Sequence, residues 1–478
     1  MTAVELLALL PLLLVAVTSV VMLGAVAVGR NHAVAFGLTL AGLAAGFGSI
    51  FFVPMRQVTA LLVIDRYALF FFGLILAASS AVALLAYGYL EKREGNKEEF
   101  YILLLVATLG AMVLAASSHF ASLFLGLEVL SVALYALIAY FGDRPLPLEA
   151  GVKYLVLAAS SSAFLVFGIA LVYADLGTMD FRQMTRLLAI RADLNLGLLL
   201  PGTAMIVTGI GFKLALVPFH MWTPDIYQGA PAPVTAFVAT VSKGGMFALL
   251  LRYFTQSGMG QFAPLLLVFS IIAIASMFTG NLLALFENNV KRILAYSSIA
   301  HMGYLLVALE VGGALGANAV VFYLMAYFVM TLGAFAVVTL LSGQQRDADQ
   351  LEDYRGLFWR RPGIALAFTA MLLSLAGIPL TAGFLGKFYI VAAGAAEGAW
   401  ALILILVITS TIGLFYYLRI VTAMYQYPAE GALALQPLPR RAPAAILVLA
   451  VFLVVLVWLG VYPTAVVNVI QSATRSLI

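Results

Sequence analysis

Three lysines, Lys213, Lys243 and Lys387, one glutamate, Glu128, and two histidines, His220 and His301, stand in or beside long apolar runs where charge is out of place. A charged side chain at the centre of a bilayer costs at least about 2.5 to 3.5 kcal/mol, and residues kept at that cost face a protein interior or a water-filled path. A lysine there suits proton handling. Desolvation disfavours an ammonium, so a buried lysine can release and regain a proton near neutral pH. Histidine titrates in the physiological range, which makes His220 and His301 candidate relays, against the alternative of a hydrogen-bonded packing role. Lys153, closer to the start of its run, joins the set. Arg419 lies toward a helix end and can extend its guanidinium to the headgroups, and His32 and His119 sit at helix ends, where interface solvation suffices.

Glu128 is the only acid well inside a predicted span, so it needs a counter-charge, and Lys153 or Lys213 is expected to supply one. A static ion pair accounts for one lysine and one glutamate. Three deep lysines against one acid leave positive charge without a structural partner, which favours a path that moves protons. The sequence also breaks its helices beside these lysines. GFKLALVPFHMW (Gly211 to Trp222) places Pro218 just after Lys213, and LAGIPLTAGFLGKFYI (Leu375 to Ile390) places Pro379, Gly383 and Gly386 before Lys387. Proline removes a backbone donor and glycine loosens the helix, so carbonyls are freed where water can enter. The loop GAPAPV (Gly229 to Val234) leads into the helix of Lys243.

The elements that position these residues follow from composition. Of 478 residues, 64% are hydrophobic and 10% charged, a balance that belongs to an integral membrane protein. A span needs roughly 20 apolar residues, so the chain reads as an all-α polytopic membrane protein with about 14 transmembrane helices, of which the seventh and twelfth are broken. The predicted spans are 4–28, 33–53, 67–90, 100–118, 120–141, 148–174, 196–219, 232–254, 262–285, 290–309, 316–342, 362–395, 399–426 and 443–470. The first contains Glu5 and has neither a basic leader nor a small-residue cleavage site, so it is read as a retained span. Two connectors, Asp180 to Leu194 and Gln350 to Pro362, mix basic and apolar residues at helical spacing and could lie in the membrane interface or form solvated loops.

A faint internal repeat crosses the chain. Tyr135 aligns with Tyr304 and Tyr154 with Tyr323 at the same offset, 169 residues. Five helices separate the copies, and an odd number inverts the second copy, as in many transporters with a site at mid-bilayer. The expected organisation is an N-terminal three-helix segment (1–99), a first repeat of helices 4–8 (100–257), a second of helices 9–13 (258–430) and a C-terminal helix (431–478). With both termini outside, thirteen Lys or Arg fall in cytoplasmic loops against seven opposite, the bias expected of cytoplasmic loops. Both termini are therefore expected on the outer side.

Several functions are excluded. Without cysteine the chain holds no disulfide, thiolate-bound zinc or iron–sulfur cluster of its own. No spacing suggests a metal site and no Gly-rich loop follows a strand. The net charge of +4 comes from scattered residues, which gives no nucleic-acid surface.

The segment GFKLALVPFHMWTPDIYQGAPAPVTAFVATVSK (Gly211 to Lys243), together with the Glu128 context, KRILAYSSIAHMGY (Lys291 to Tyr304) and Leu375 to Ile390, resembles the antiporter-like membrane subunits of respiratory complex I, the proton-pumping NADH:quinone oxidoreductase. The resemblance spans nearly the whole chain. Lys387 sets it apart from the subunit M branch, which typically carries a glutamate there, and the chain is too short for the lateral helix of subunit L. The resemblance implies proton transfer through Glu128, Lys153, Lys213, Lys243 and Lys387, with His220 and His301 along the same axis and a modulating pair formed by Glu128 and Lys213. It implies that NADH, FMN, iron–sulfur clusters and quinone are bound by partner subunits. The implied partners are a subunit M-like homologue and small multi-helix subunits such as K and J, within the inner membrane of a bacterial cell. A cation/proton antiporter or membrane-bound hydrogenase subunit shares the same core pattern; a structural scaffold with frozen ion pairs is the other alternative.

Overall fold

The computed structural model describes residues 2–190, 194–258, 260, 262–427 and 442–477. Arg191, Arg440 and Arg441, counted in the charge bias, and residues 191–193 of the first interfacial connector lie outside them. We number the membrane-crossing helices α1 (Leu10–Val28), α2 (His32–Ser49), α3 (Arg66–Glu91), α4 (Glu98–Ala116), α5 (Phe120–Ile138), α6 (Pro145–Leu176), α7 (Leu196–Leu214), α8 (Ala232–Gln256), α9 (Ala263–Phe286), α10 (Val290–Val311), α11 (Gly313–Leu341), α12 (Pro362–Ala376 with Ala382–Ala396), α13 (Trp400–Tyr425) and α14 (Ala442–Val461). Thirteen are long and apolar enough to span unbroken, and the two short halves of α12 make up the remaining one.

Burial sorts the helices by role. The span window of α8 is wholly buried and those of α10 and α11 nearly so, whereas α1 and α14 bury less than a third of theirs. The helices that carry Lys243 and His301 are thus the core of the molecule. Glycine sets how closely they approach. A Cβ on Gly244 would stand 2.3 Å from the Phe328 ring of α11, and one on Gly110 would stand 2.5 Å from the Leu130 backbone nitrogen, so α8 packs on α11 and α4 on α5 through bare backbone.

Three local features differ from the sequence reading, and two connectors left open there take a definite form. The predicted first span splits into Ala3–Ala8 and α1, with Pro11 inside the first turn of α1. Residues before α3 form a short hairpin pairing Arg56–Gln57 with Val63–Ile64. The predicted last span ends at Val461; Pro463 caps a separate helix, Thr464–Thr474, which packs on α3 and α11. Its end is tied down by Thr474, which donates to Asn318 Oδ1 at 2.5 Å. Of the two connectors, the first forms the helix Phe181–Ile190, and the second forms a 3-10 turn, Leu351–Tyr354, followed by Leu357–Arg360.

Candidate proton-transfer site

The break after α7 comes directly beyond Lys213. The helix stops at Leu214, Ala215 takes a left-handed conformation, and a short helix resumes at Trp222–Gly229. Pro218 cannot donate to a continuing ladder, and its position explains why the helix does not carry on. Lys213 is 3% exposed, and its Nζ donates to Ser131 Oγ on α5 at 2.6 Å and lies 3.5 Å from the Tyr154 hydroxyl on α6.

Glu128 sits one turn before Ser131 on the same face of α5. It is half-buried, and its Oε1 accepts from Ser162 on α6 at 2.6 Å. The expected ion pair of Glu128 with Lys213 or Lys153 is therefore absent among the described residues: one serine takes the carboxylate and another takes the ammonium. Lys153 lies on the outer face of α6, 43% exposed, where it pairs with Glu149 at 2.6 Å and Asp225 at 2.8 Å. Asp225 also accepts from Arg292 at 2.8 Å. The structure thus separates Lys153 from the buried lysines and gives it carboxylates of its own.

Lys243 is fully buried and follows a π-helical turn, Val238–Ser242, inside α8. Such a turn widens a helix locally and is frequent at functional positions. Its Nζ donates to Ser298 Oγ on α10 at 2.6 Å, and Ser298 also accepts from the Tyr327 hydroxyl at 2.7 Å. One turn along α10, His301 holds the Tyr323 hydroxyl at Nδ1 (2.7 Å) and the Tyr417 hydroxyl at Nε2 (3.2 Å). His220 lies in the turn after α7, with Nδ1 buried and unbonded among the described residues.

Lys387 stands in the second half of α12, after the chain has turned through Gly377 and Leu380 at positive φ. It is 8% exposed. Its Nζ donates to the carbonyls of Leu375 and Ala376, both at 2.9 Å, and to Ser410 Oγ of α13 at 2.7 Å. The carbonyls freed by the break are those that hold the lysine. A cavity of about 310 Å³ lined by Gly377, Phe384, Lys387, Ser410 and Leu414 adjoins it.

Lys213, Lys243 and Lys387 share one arrangement: a buried ammonium, a serine hydroxyl on a neighbouring helix, and no carboxylate within ion-pair distance among the described residues. A serine accepts from an ammonium and, by rotating its O–H, donates to the lone pair of a neutral amine. Both protonation states are therefore hydrogen-bonded, whereas a carboxylate would fix the charged one.

Sequence reasoning missed other charges. Arg252, counted among the outer-side basic residues although it lies within the predicted span 232–254, is fully buried in α8 and makes a two-pronged pair with Asp65 at 2.7 and 2.9 Å. Arg93 and Lys291, both counted among the thirteen cytoplasmic-side basic residues, are buried and converge on Asp347, each at 2.9 Å, with the Tyr89 hydroxyl at 2.7 Å. Burial works against the charged form of Asp347, yet Lys291 and Arg93 outweigh it and hold the carboxyl below its usual range. Nothing in a single sequence matches a loop acid to basic residues far away in the chain. The serines carried a weak signal: Ser297, Ser298 and Tyr304 flank His301 at helical spacing in KRILAYSSIAHMGY.

Residues 117–413 match the family described as NADH:quinone oxidoreductase/Mrp antiporter, transmembrane. The chain belongs to this family of multi-pass, antiporter-like membrane proteins. It is 47% identical, over 99% of its length and 97% of the relative's, to NADH-quinone oxidoreductase subunit N of Ectopseudomonas mendocina, and 52% identical, over the same shares, to the subunit of that name from Nitrosospira multiformis. A chain in the structure of respiratory complex I from Thermus thermophilus with bound aureothin superposes with a TM-score of 0.82 at 33% identity, covering 97% of this chain and 99% of that one.

Proposed function

We propose that this chain is the subunit N-type component of a proton-pumping NADH:quinone oxidoreductase and carries protons across the bacterial inner membrane through Lys213, Lys243 and Lys387. The observation that carries this reading is the threefold lysine–serine arrangement, buried and without a carboxylate among the described residues. Oxidation of NADH and reduction of quinone take place in partner subunits, where FMN and iron–sulfur clusters reside. Neighbours are an M-like homologue and small multi-helix subunits such as K and J.

Glu128 modulates the first site. One turn separates it from Ser131, so a rotamer change of Glu128 or Lys213 would exchange serine partners for an ion pair and raise the lysine's proton affinity. Lys153, held by Asp225 and Glu149, shapes the field at the outer face of α6. His301, bonded to hydroxyls at both ring nitrogens, joins the second and third lysines; His220 serves the break in α7. Two inverted repeats, helices 4–8 and 9–13, account for a break beside a lysine in α7 and again in α12, and the termini face the periplasm. Protons moved outward work against about 2.3 kcal/mol per charge per 100 mV, which redox chemistry elsewhere in the complex supplies.

The test is Lys213→Ala in the assembled complex, with proton pumping measured in inverted vesicles beside NADH oxidation by an artificial acceptor that bypasses the membrane arm. Loss of pumping and quinone-coupled turnover with acceptor activity intact is expected. Unchanged pumping in an assembled complex would leave a structural scaffold as the better account.

A further inference from the structure

Each of the three deep lysines has a further neighbour besides its serine. Lys213 Nζ lies over the ring of Tyr154 on α6, 5.2 Å from the centroid. Lys243 Nζ lies over Tyr227, in the helix Trp222–Gly229, at 5.7 Å, and Lys387 Nζ lies over Tyr304 on α10 at 5.2 Å. All three tyrosines are buried. The face of an aromatic ring is its negative pole, so a cation within about 6 Å of the centroid is attracted to it, most strongly where water is excluded.

The fourth buried lysine supplies the contrast. Lys291 has Asp347 at 2.9 Å and the carbonyls of Gln228 and Ala230, and it lies over no ring among the described residues. Among those residues the lysines that lie over rings are the ones without a carboxylate. Arg93 and Arg252 stack on Tyr89 and Tyr67 while also holding carboxylates, but a guanidinium keeps its charge and has no proton to pass on.

A ring and a carboxylate part ways when the proton leaves. A carboxylate carries a full charge and sets the ammonium against release. A ring is neutral: it attracts the ammonium, then turns the same negative face toward the lone pair of the amine. That lone pair is better met by the serine O–H, which for Lys243 belongs to Ser298 at 2.6 Å.

We propose that Tyr154, Tyr227 and Tyr304 are positioning residues for proton uptake: their ring faces, in place of a counter-ion, hold the ammonium forms of Lys213, Lys243 and Lys387 while leaving each proton free to move on. In uptake one N–H bond forms at the lysine as the donor's bond to that proton breaks, and the tyrosine neither gains nor loses a proton. The inference rests on reading these lysines as proton sites.

Lys243 gives the clearest test. Lys213 also lies 6.0 Å from the Phe212 ring, and Lys387 has two carbonyls besides Ser410, whereas Lys243 has Ser298 and Tyr227. The Tyr227 hydroxyl stands 3.2 Å from Ser298 Oγ, so the test must separate ring from hydroxyl. The titratable and charged groups facing this pair are Tyr154 and Lys153 on α6, Lys291, Arg292 and His301 on α10, Tyr327 on α11, and Asp225 on the helix of Tyr227. All are unchanged in the variants below, so each pH profile is read as a ratio to the unsubstituted complex.

The experiment follows NADH-driven pumping in inverted vesicles, normalised to acceptor activity, from about pH 6 to about pH 8.5. Removing the ring face makes the ammonium harder to form, a loss that acid compensates and alkali exposes. Tyr227→Leu is therefore expected to pump near normally at the acidic end and about tenfold below the unsubstituted complex at the alkaline end, the weight of a ring contact stripped of water. Tyr227→Phe, which keeps the ring and drops the hydroxyl, should stay within about twofold throughout. A Tyr227→Leu ratio that is flat with pH, or a Tyr227→Phe complex as impaired as Tyr227→Leu, would overturn the proposal. Phenylalanine analogues of rising fluorine content at position 227 keep the ring's shape and weaken its negative face. The alkaline loss should deepen with each added fluorine; an unchanged series overturns the proposal even where Tyr227→Leu fails to assemble. Lys243→Ala separates the two levels: if it pumps normally, the proton site itself is refuted, whereas its loss beside unaffected Tyr227 variants refutes only the role of the ring.

Discussion

At the scale of single residues, the site is a matter of which oxygen each buried nitrogen meets. Ser298 serves Lys243 and Tyr327 together, so Ser298→Ala strands two buried donors at once, and an orphaned buried donor costs about 1 to 3 kcal/mol. Quinone-coupled turnover of the assembled complex should fall about tenfold, with acceptor activity unchanged. Ser298→Thr, which keeps the oxygen, should restore most of it. Lys153→Ala offers the contrast. An exposed lysine with two acidic partners should cost about threefold or less in pumping, and a loss as deep as that of Lys213→Ala would put Lys153 on the path itself.

At the scale of elements, helix breaks and close helix contacts hold the lysines in place. The breaks in α7 and α12 were legible because Pro218 and Pro379 act locally on the backbone, although Gly383 and Gly386, read with Pro379, lie inside the second half of α12 and the turn falls at Gly377. The π turn before Lys243 was not, since no proline or glycine within Val238–Ser242 announces it. Gly244 is the point at which α8 meets α11. Gly244→Val would drive a side chain into Phe328 and force α8 away, at a cost of about 1 to 3 kcal/mol, more if Phe328 cannot rotate. The expected result is a lower melting temperature of the detergent-purified complex and reduced coupled turnover; Gly363→Ala, where added atoms meet open space, should change neither.

At the scale of the whole molecule, two buried charge clusters tie distant parts of the chain together. Asp347 joins the loop after α11 to Arg93 beyond α3 and to Lys291 at the start of α10, while Arg252 and Asp65 join α8 to the N-cap of α3. Because Asp347 has a lower proton affinity folded than unfolded, its contribution to stability is complete above the ordinary aspartate value, about 3.9, and is lost as pH falls through its still lower folded value. Melting temperature should therefore be insensitive to this cluster between about pH 5 and 7 and decline below about pH 4. Asp347→Asn should lower it across the neutral range, because Arg93 and Lys291 keep their burial and lose their counter-charge; removing one partner of such a pair costs about 3 to 5 kcal/mol.

The sequence by itself determined the membrane-spanning character, the number of crossings, the helices that break, and the lysines that sit deep within them. Those features are local: apolar length, proline and glycine act on the residues beside them. Only the tertiary structure decided that Glu128 faces Ser162, that Lys153 lies on the outer face, that Arg252 and Lys291 are buried, and that each deep lysine finds a serine. Those outcomes depend on which helix faces meet. In a chain where almost every face is apolar, periodicity no longer distinguishes a lipid-facing surface from a packed one, and the partner of a buried charge is fixed only when the helices come together.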